Sequence, residues 1–206
     1  MKLINVIKRG INFFVISIFL MAFQCEDENE DFLKYDAYKV SITPSSSFSV
    51  DDTVWVKAIV SSKVYDLSIN DSVFNEYPQS DYFSVYKLVE PDEASNCKGA
   101  VDKFELIFDK GEFSFFSCEN ADLVAMPALE FNDSFYVYRV GLRPLYVGDY
   151  VISWRNAIIQ NADRNEFIIN DYPIADFPNQ IGFNSCGEIT WRVLNESERE
   201  YYFRVE

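Results

Sequence analysis

The sequence contains no histidine among its 206 residues. This absence excludes chemistry that depends on an imidazole, namely activation of a nucleophile, acid–base catalysis near neutral pH, and zinc sites with histidine ligands. Catalysis by paired carboxylates remains open. The chain has 33 acidic residues, however, so acidic pairs arise by chance and none of them identifies a hydrolase. We therefore expect a protein that is not an enzyme, with a carboxylate-based hydrolase as the catalytic alternative.

Basic residues are also scarce. Lysine and arginine number 18 against 33 acidic residues, which gives a formal charge of −15. Residues 1–24 contain three of the basic side chains and no acidic one, so the chain without them would have a charge of −18. This balance excludes the basic footprint that nucleic-acid binding requires, and it disfavours docking on anionic lipid headgroups. Cations and basic surfaces are the favoured electrostatic partners.

No apolar run is long enough to span a membrane comfortably. The run Ile11–Phe23 has 13 residues, whereas a spanning helix needs roughly 20. It follows a short basic head of Lys2, Lys8 and Arg9, and this combination is typical of a signal peptide. We therefore predict that residues 1–24 are a signal peptide, the alternative being a buried core helix.

Cys25 follows the apolar run directly, with Ala22 three residues before it and Gln24 immediately before it. A cysteine in this position resembles the lipobox of bacterial lipoproteins, although that family usually has Leu in place of Ala22 and a small residue in place of Gln24. The resemblance implies that Cys25 is linked to diacylglycerol, becomes the mature N-terminus and carries fatty acids such as palmitate. Two or more acyl chains hold a protein stably at a bilayer, so the membrane would be a partner through this lipid anchor.

An acidic run follows the cysteine, made up of Glu26, Asp27, Glu28, Glu30 and Asp31. This run is similar to the acidic export signal of surface lipoproteins of Bacteroidota. The resemblance implies a lipoprotein of the outer membrane that faces the cell exterior. A simpler interpretation, compatible with the first, is a solvated and self-repelling tether, which we predict for residues 25–36.

Three cysteines remain besides Cys25. An exported chain meets an oxidising compartment, so one disulfide is expected, and Cys97, Cys118 and Cys186 allow three pairings. We favour Cys97–Cys118 because these two are nearest in sequence. The chain has no C-x-x-C pair, so we expect no zinc site, and we predict neither a metal nor a cofactor.

The residues from 37 to 206 predict a single all-β domain. No stretch of ten or more residues has helical periodicity after residue 25, whereas short segments with period two recur between turns. The clearest strands are 54–60 and 147–154, the latter with Tyr150, Ile152 and Trp154 facing inward. We predict an antiparallel β-sandwich, immunoglobulin-like in general architecture.

Two hairpins are predicted from turn residues and alternation. Around Lys110-Gly111, placing Asp109 opposite Glu112 makes Phe108 face Phe113 and sorts the apolar side chains onto one face. At the C-terminus, 189–193 is expected to pair with 201–205. The segments 66–81 and 155–187 predict long loops, with a short strand at 167–169.

The aromatic content suggests a function in binding. Aromatic faces stack on sugar rings while acids and amides bond hydroxyl groups, although most aromatic residues of a β protein simply fill its core. Within the acidic loop before residue 83 we predict a candidate ligand loop formed by Tyr77, Asp81 and Tyr82. The hypothesis is a binding module for a glycan or another envelope protein. The alternative is a structural subunit of an outer-membrane assembly.

Three short motifs complete the candidates. Asp52-Thr53-Val54 and Asp71-Ser72-Val73 are similar to sites at which Bacteroidota O-glycosylate exported proteins, although Thr53 also suits a strand start and Ser72 a turn. Asn161-x-Asp163-x-Asn165 has the spacing of calcium ligands but lacks the glycine and the final glutamate of that loop, so we expect no calcium site.

Overall fold

The fold is seen in a computed structural model that describes residues 32–45, 47–92, 94–160, 165–194 and 198–206. The predictions for residues 1–31, which concern the signal peptide, Cys25 and the acidic run, lie outside the described residues. Leu33–Glu206 is one compact unit. Within the described part of the chain, no helix combines the length and the apolarity needed to cross a membrane.

The described residues form eighteen strands and two short 3-10 helices. The helices are Val101–Lys103 and Glu166–Asp171. In chain order the strands are β1 Leu33–Lys34, β2 Lys39–Ile42, β3 Ser47–Phe48, β4 Val54–Ser61, β5 Lys63–Asp66, β6 Asp71–Phe74, β7 Asp81–Asp92, β8 Ser95–Gly99, β9 Phe104–Lys110, β10 Glu112–Phe115, β11 Asp122–Met126, β12 Ala128–Leu129, β13 Phe135–Pro144, β14 Gly148–Trp154, β15 Ile158–Ile159, β16 Gln180–Ser185, β17 Glu188–Val193 and β18 Glu200–Val205.

Two large sheets make up the body of the protein. The six-stranded sheet has the order β12-β13-β4-β2-β15, with β9 also paired to β13. The nine-stranded sheet has the order β17-β16-β8-β7-β14-β18-β3, with β11 paired to β7 and β10 to β11. Most pairings are antiparallel, and the parallel ones are β2–β15, β8–β16 and β3–β18. The all-β sandwich is therefore confirmed, while its immunoglobulin-like character stays a prediction.

The space between the two sheets is filled by side chains at alternate strand positions. In β4, Val54, Val56 and Ala58 are fully buried while Lys57 is exposed, as period two requires. In β14, Tyr150, Ile152 and Trp154 are fully buried in the same core, so their predicted inward direction is confirmed.

A buried aromatic cluster joins the two sheets. The ring of Phe83 in β7 stacks on Trp154 at 5.7 Å and on Tyr138 of the opposite sheet at 6.1 Å. The indole N–H of Trp154 donates to the hydroxyl of Tyr138 at 3.1 Å, so the polar atom of each ring has a partner. These contacts fix the relative position of the sheets by shape and by a hydrogen bond.

The nine-stranded sheet also buries part of its outer face. Tyr86, Leu88, Cys97, Val151 and Phe183 belong to a second apolar cluster there, which includes the 3-10 helix Glu166–Asp171 through two isoleucines. The strand predicted at 167–169 is therefore wrong, because this segment covers a sheet instead of joining one. The long loop predicted for 155–187 is wrong at its C-terminal end, where β16 lies.

The chain crosses from one large sheet to the other at one turn and returns at a second. Gly111, at φ +85°, separates β9 in the six-stranded sheet from β10 in the nine-stranded sheet, and Pro127 separates β11 from β12 in the reverse direction. The predicted β9–β10 hairpin is therefore wrong, because β9 pairs with β13 and β10 with β11. The rings of Phe108 and Phe113 still stack at 4.8 Å across this corner.

The predicted C-terminal hairpin is also wrong. β17 pairs with β16 through register pairs such as Gly182 with Trp191, whereas β18 pairs with β14 and β3. Both β17 and β18 alternate in a way that suits several partners. Their pairing is decided by the short turn after β16 and by burial of β18 against β14, neither of which local alternation encodes.

A small sheet extends the body at one end. Its order is β1-β5-β6, with Leu33 opposite Asp66 and Lys34 opposite Tyr65. The sheet includes residues placed before the expected domain boundary at residue 37, so the tether prediction to residue 36 is wrong for Leu33–Lys34. The predicted loop 66–81 contains β6, with positive φ at Asn70 in the turn before it.

Candidate functional site

The hairpin of β16 and β17 lies over the outer face of the nine-stranded sheet. In the sheet order β17 stands far from β18, yet Arg192 of β17 forms an ion pair with Glu200 of β18. The hydroxyls of Tyr86 in β7 and Ser185 in β16 are 2.7 Å apart. The sheet therefore curls until strands from its two sides meet, and a basin forms between the hairpin and the strands beneath it.

A disulfide fastens the turn of this hairpin. It joins Cys186, between β16 and β17, to Cys118 in the loop after β10, with their Cα atoms 5.8 Å apart. The predicted Cys97–Cys118 pair is therefore wrong. Cys97 is a free, fully buried thiol in β8 that packs in the outer apolar cluster, and burial raises its pKa well above the usual thiol value. Nearness in sequence misled the prediction because the fold brings Cys186 to Cys118.

The outer-face basin, as we name the cavity under the β16–β17 hairpin, has a volume of about 300 Å³. Its lining is drawn from strands far apart in sequence and from the loop that contains Cys118. The residues that line it are Tyr82, Phe83, Ser84, Tyr86, Phe116, Ser117, Asp122, Leu123, Ser153, Arg155, Phe183, Ser185, Glu188, Thr190, Trp191 and Arg192.

Hydroxyl and carboxylate groups are placed at several points of the basin. The hydroxyl of Ser84 donates to Oδ1 of Asp122 at 2.7 Å. The hydroxyl of Ser153 lies 3.4 Å from Oε1 of Glu200, the buried carboxylate that also binds Arg192. A carboxylate accepts several hydrogen bonds, so Asp122 keeps acceptor capacity for a ligand beyond its bond to Ser84.

Aromatic rings form one wall of the basin. Tyr82 and Phe116 meet edge to face with ring centroids 5.3 Å apart, and Phe116 is half exposed. The guanidinium of Arg155 lies 5.2 Å from the centroid of the Tyr82 ring. The basin thus offers rings, hydroxyls, carboxylates and a guanidinium to one ligand, and this mixture can hold a molecule that is rich in hydroxyl groups.

A smaller cavity of about 60 Å³ lies at the start of β7, and we call it the end cavity. Asp81 in this cavity is almost fully buried. Burial raises the pKa of Asp81 to about 6, although its carboxylate accepts hydrogen bonds from the Tyr138 hydroxyl at 2.6 Å and the Tyr82 backbone N–H at 2.9 Å. Tyr82 and Arg155 line both cavities.

The predicted ligand loop is only partly at these cavities. Tyr77 is 82% exposed and lines neither of them, so it does not share a site with Asp81. Asp81, predicted as part of that loop, is a buried carboxylate at the start of β7. Tyr82 lines both cavities.

The other sequence candidates fall elsewhere. Thr53 is partly buried beside Gly141, and Ser72 is exposed in β6. Of the tryptophans, Trp154 is core, Trp55 lies under the guanidinium of Arg139, and Trp191 donates its indole N–H to the carbonyl of Ala94 at 2.7 Å. Asn161 and Asp163 of the calcium-like spacing lie outside the described residues, and no group of metal-binding side chains occurs among those that are described.

Sequence reasoning missed most of the basin. Ser84 and Ser153 occupy outer-face positions of strands whose inner faces are core. In β7, Ser84 interrupts an outer face that otherwise carries Tyr82, Tyr86 and Leu88, and this interruption was a readable signal. Phe116 and Arg192 gave no such signal, because their place depends on the curl of the sheet. No protein family, curated protein or solved structure matches this chain.

Proposed function

We propose that the protein is a non-catalytic, lipid-anchored protein of the cell envelope that binds a glycan in the outer-face basin. The observation that carries the proposal is the composition of this basin, where polar groups stand beside the rings of Tyr82 and Phe116. A sugar presents C–H faces to aromatic rings and hydroxyl groups to acceptors and donors, so it uses both kinds of group. The volume of about 300 Å³ lies at the lower end of the usual range for small-molecule sites.

A glycan array tests this proposal. The full chain, extracted in detergent, should bind a restricted set of glycans, and Phe116→Ala should weaken that binding about ten-fold or more, equivalent to about 1.4 kcal/mol. Phe167→Ala is the matched control, because Phe167 is an 82% exposed phenylalanine that does not line the basin. Equal binding by wild type and Phe116→Ala, or binding to no glycan, would count against the basin as the site.

The anchor part of the proposal is supported by the sequence around Cys25 and by the acidic run after it. Labelled palmitate should enter the wild type and Cys97→Ala, but not Cys25→Ala. Protease added to intact cells should digest the domain if it faces the exterior. Equal labelling of Cys25→Ala would remove the anchor, and full protection from protease would indicate a periplasmic orientation.

A structural subunit of an outer-membrane assembly is the second candidate. The observation in its favour is a set of apolar side chains on and around the paired strands β12 and β13, where Met126, Leu129, Phe131 and Phe135 are all more than a third exposed. Exposed apolar surface is typical of protein interfaces. Phe131→Glu should then abolish co-purification of an envelope protein from membrane extract while leaving glycan binding unchanged.

The carboxylate-based hydrolase remains a minor alternative. Asp122 and Glu188 line the basin and are the carboxylates that a bound sugar would meet. Incubation with an array-positive oligosaccharide should leave it intact. Cleavage that Asp122→Asn or Glu188→Gln abolishes would make the protein an enzyme.

A further inference from the structure

The outer-face basin and the end cavity share one boundary. Tyr82 and Arg155 line both cavities, and they are the only residues common to the two linings described above. Tyr82 begins the outer face of β7, whereas Arg155 follows the last residue of β14. The two cavities are therefore neighbours, with these two residues between them.

This boundary is held in place from several sides. The backbone N–H of Arg155 donates to the Tyr82 carbonyl at 3.0 Å, and the Tyr82 N–H donates to the buried Asp81 at 2.9 Å. The Tyr82 ring packs against Phe116 on one side and the Arg155 guanidinium on another. Because its backbone is fixed and its ring is flat, this ridge can support a sugar ring that lies across it. Little side-chain conformational entropy would be lost on binding.

Polar groups continue on the far side of the ridge. Carboxylates, amides and hydroxyls line the end cavity, and the Tyr38 hydroxyl donates to the Gln79 carbonyl at 2.5 Å. The end cavity, at about 60 Å³, is much smaller than the basin. It can nevertheless receive the polar groups of a neighbouring sugar unit. Of its polar lining members, Asp36 and Asn156 are exposed.

We propose that the two cavities are adjacent subsites for one extended, neutral oligosaccharide whose chain crosses the ridge of Tyr82 and Arg155. This inference rests on the proposed glycan-binding function and adds the length and charge of the ligand. A monosaccharide in the basin would leave the ridge and the end cavity unused. A chain of two or more units contacts all three, so affinity rises with length.

The charges around the two cavities favour a neutral chain. Two arginines line the basin. Arg192 is already paired with Glu200, whereas Arg155 forms no ion pair with a carboxylate in the described part of the chain. Three carboxylates that line the cavities, Asp36, Asp122 and Glu188, would repel an acidic sugar but accept hydrogen bonds from hydroxyl groups. The formal charge of −15 acts in the same direction.

The test is a length series measured by titration calorimetry on the full chain in detergent. The probes are neutral gluco-, manno- and galacto-oligosaccharides, from the monosaccharide to the hexasaccharide, together with oligomers of a uronic acid. Affinity for one neutral series should rise about ten-fold or more between the monosaccharide and the trisaccharide, which corresponds to about 1.4 kcal/mol. The uronic acid oligomers should bind more weakly than neutral chains of equal length.

Two variants separate the subsites. Asp36→Ala with Asn156→Ala alters only the end cavity, at exposed positions, and should remove the gain with length while the monosaccharide affinity stays unchanged. Thr190→Ala alters only the basin and should weaken binding at every length. Asp52→Ala, an exposed carboxylate away from both cavities, is the control and should behave as wild type.

Each result decides between the claims. Affinity that is independent of length, a gain that survives in the end-cavity variant, or stronger binding of the uronic acid chains would overturn this inference while leaving glycan binding in place. Absence of binding to every neutral and acidic oligomer would overturn the proposed function itself, and the inference with it.

Discussion

Asp81 is the residue in which burial and charge conflict most clearly. It lies at the start of β7 between the two sheets, accepts the Tyr138 hydroxyl and the Tyr82 N–H, and is 3% exposed. Burial raises its pKa to about 6 from an ordinary value of 3.8. The charged form is therefore held in the folded state at a cost, which two donated hydrogen bonds reduce but do not remove.

The sign of the resulting pH dependence follows from this raised pKa. Between pH 3.8 and about 6 the folded state binds a proton at Asp81 that the unfolded state does not bind. Protonation of Asp81 therefore stabilises the folded state fully below pH 3.8, and this stabilisation is lost as the pH rises through about 6. Its size is on the order of 3 kcal/mol, since a tenfold change in proton affinity corresponds to about 1.4 kcal/mol.

We predict that Asp81→Asn removes this pH dependence. The amide resembles the protonated carboxyl, so the variant should be more stable than wild type at pH 7.5 and should differ little from it at pH 4. Urea unfolding at a series of pH values measures the effect. Asp92→Asn, at the exposed end of the same strand, is the control and should retain the wild-type profile. A variant that is less stable than wild type at pH 7.5 would show that Asp81 favours folding when charged.

At the scale of elements, the β16–β17 hairpin is the part whose position shapes the basin. It is fastened at its turn by Cys118–Cys186 and at its far strand by Arg192 with Glu200. The disulfide closes a sequence separation of 68 residues, for which loop-closure entropy gives about 4 kcal/mol of stabilisation. The hairpin should therefore depend on this bond more than the central strands do.

We predict that Cys118→Ser with Cys186→Ser lowers the free energy of unfolding by about 2–4 kcal/mol. Hydrogen exchange should quicken in β16 and β17 at denaturant concentrations where β4 and β13 are still protected, and glycan binding should weaken. Ser72→Ala, at an exposed position of β6 outside the disulfide and the hairpin, is the control and should keep slow exchange in the hairpin. Equal acceleration in β4 and in β16 would mean that the bond stabilises the whole fold without a local role.

The sequence predicted strands better than it predicted their partners. Alternation placed Tyr150, Ile152 and Trp154 inward correctly, because period two acts within one strand. It paired β9 with β10 wrongly, although the predicted contact of Phe108 with Phe113 exists. A glycine turn is compatible both with a hairpin and with a corner between sheets. The choice is made by contacts with β13 and β11, which lie farther along the chain.

At the scale of the whole molecule, the candidate site is a product of the curled sheet. The basin takes Ser84 from β7, Ser153 from β14 and Thr190 from β17, and these residues are brought together only when the hairpin lies over the outer face. Local patterns therefore predicted Tyr82 and no more of this set. The −15 charge and the missing histidines were informative at this scale, since they limited the chemistry before any pairing was known.

The most direct measurement of the central claim is a chemical-shift map of the glycan site. Backbone amide shifts of the full chain in detergent would be followed while the strongest array ligand is added. The largest changes should occur at Ser84, Ser153, Ser185 and Thr190, which line the outer-face basin. Largest changes at residues 126–135, or no changes at saturating glycan, would contradict the account.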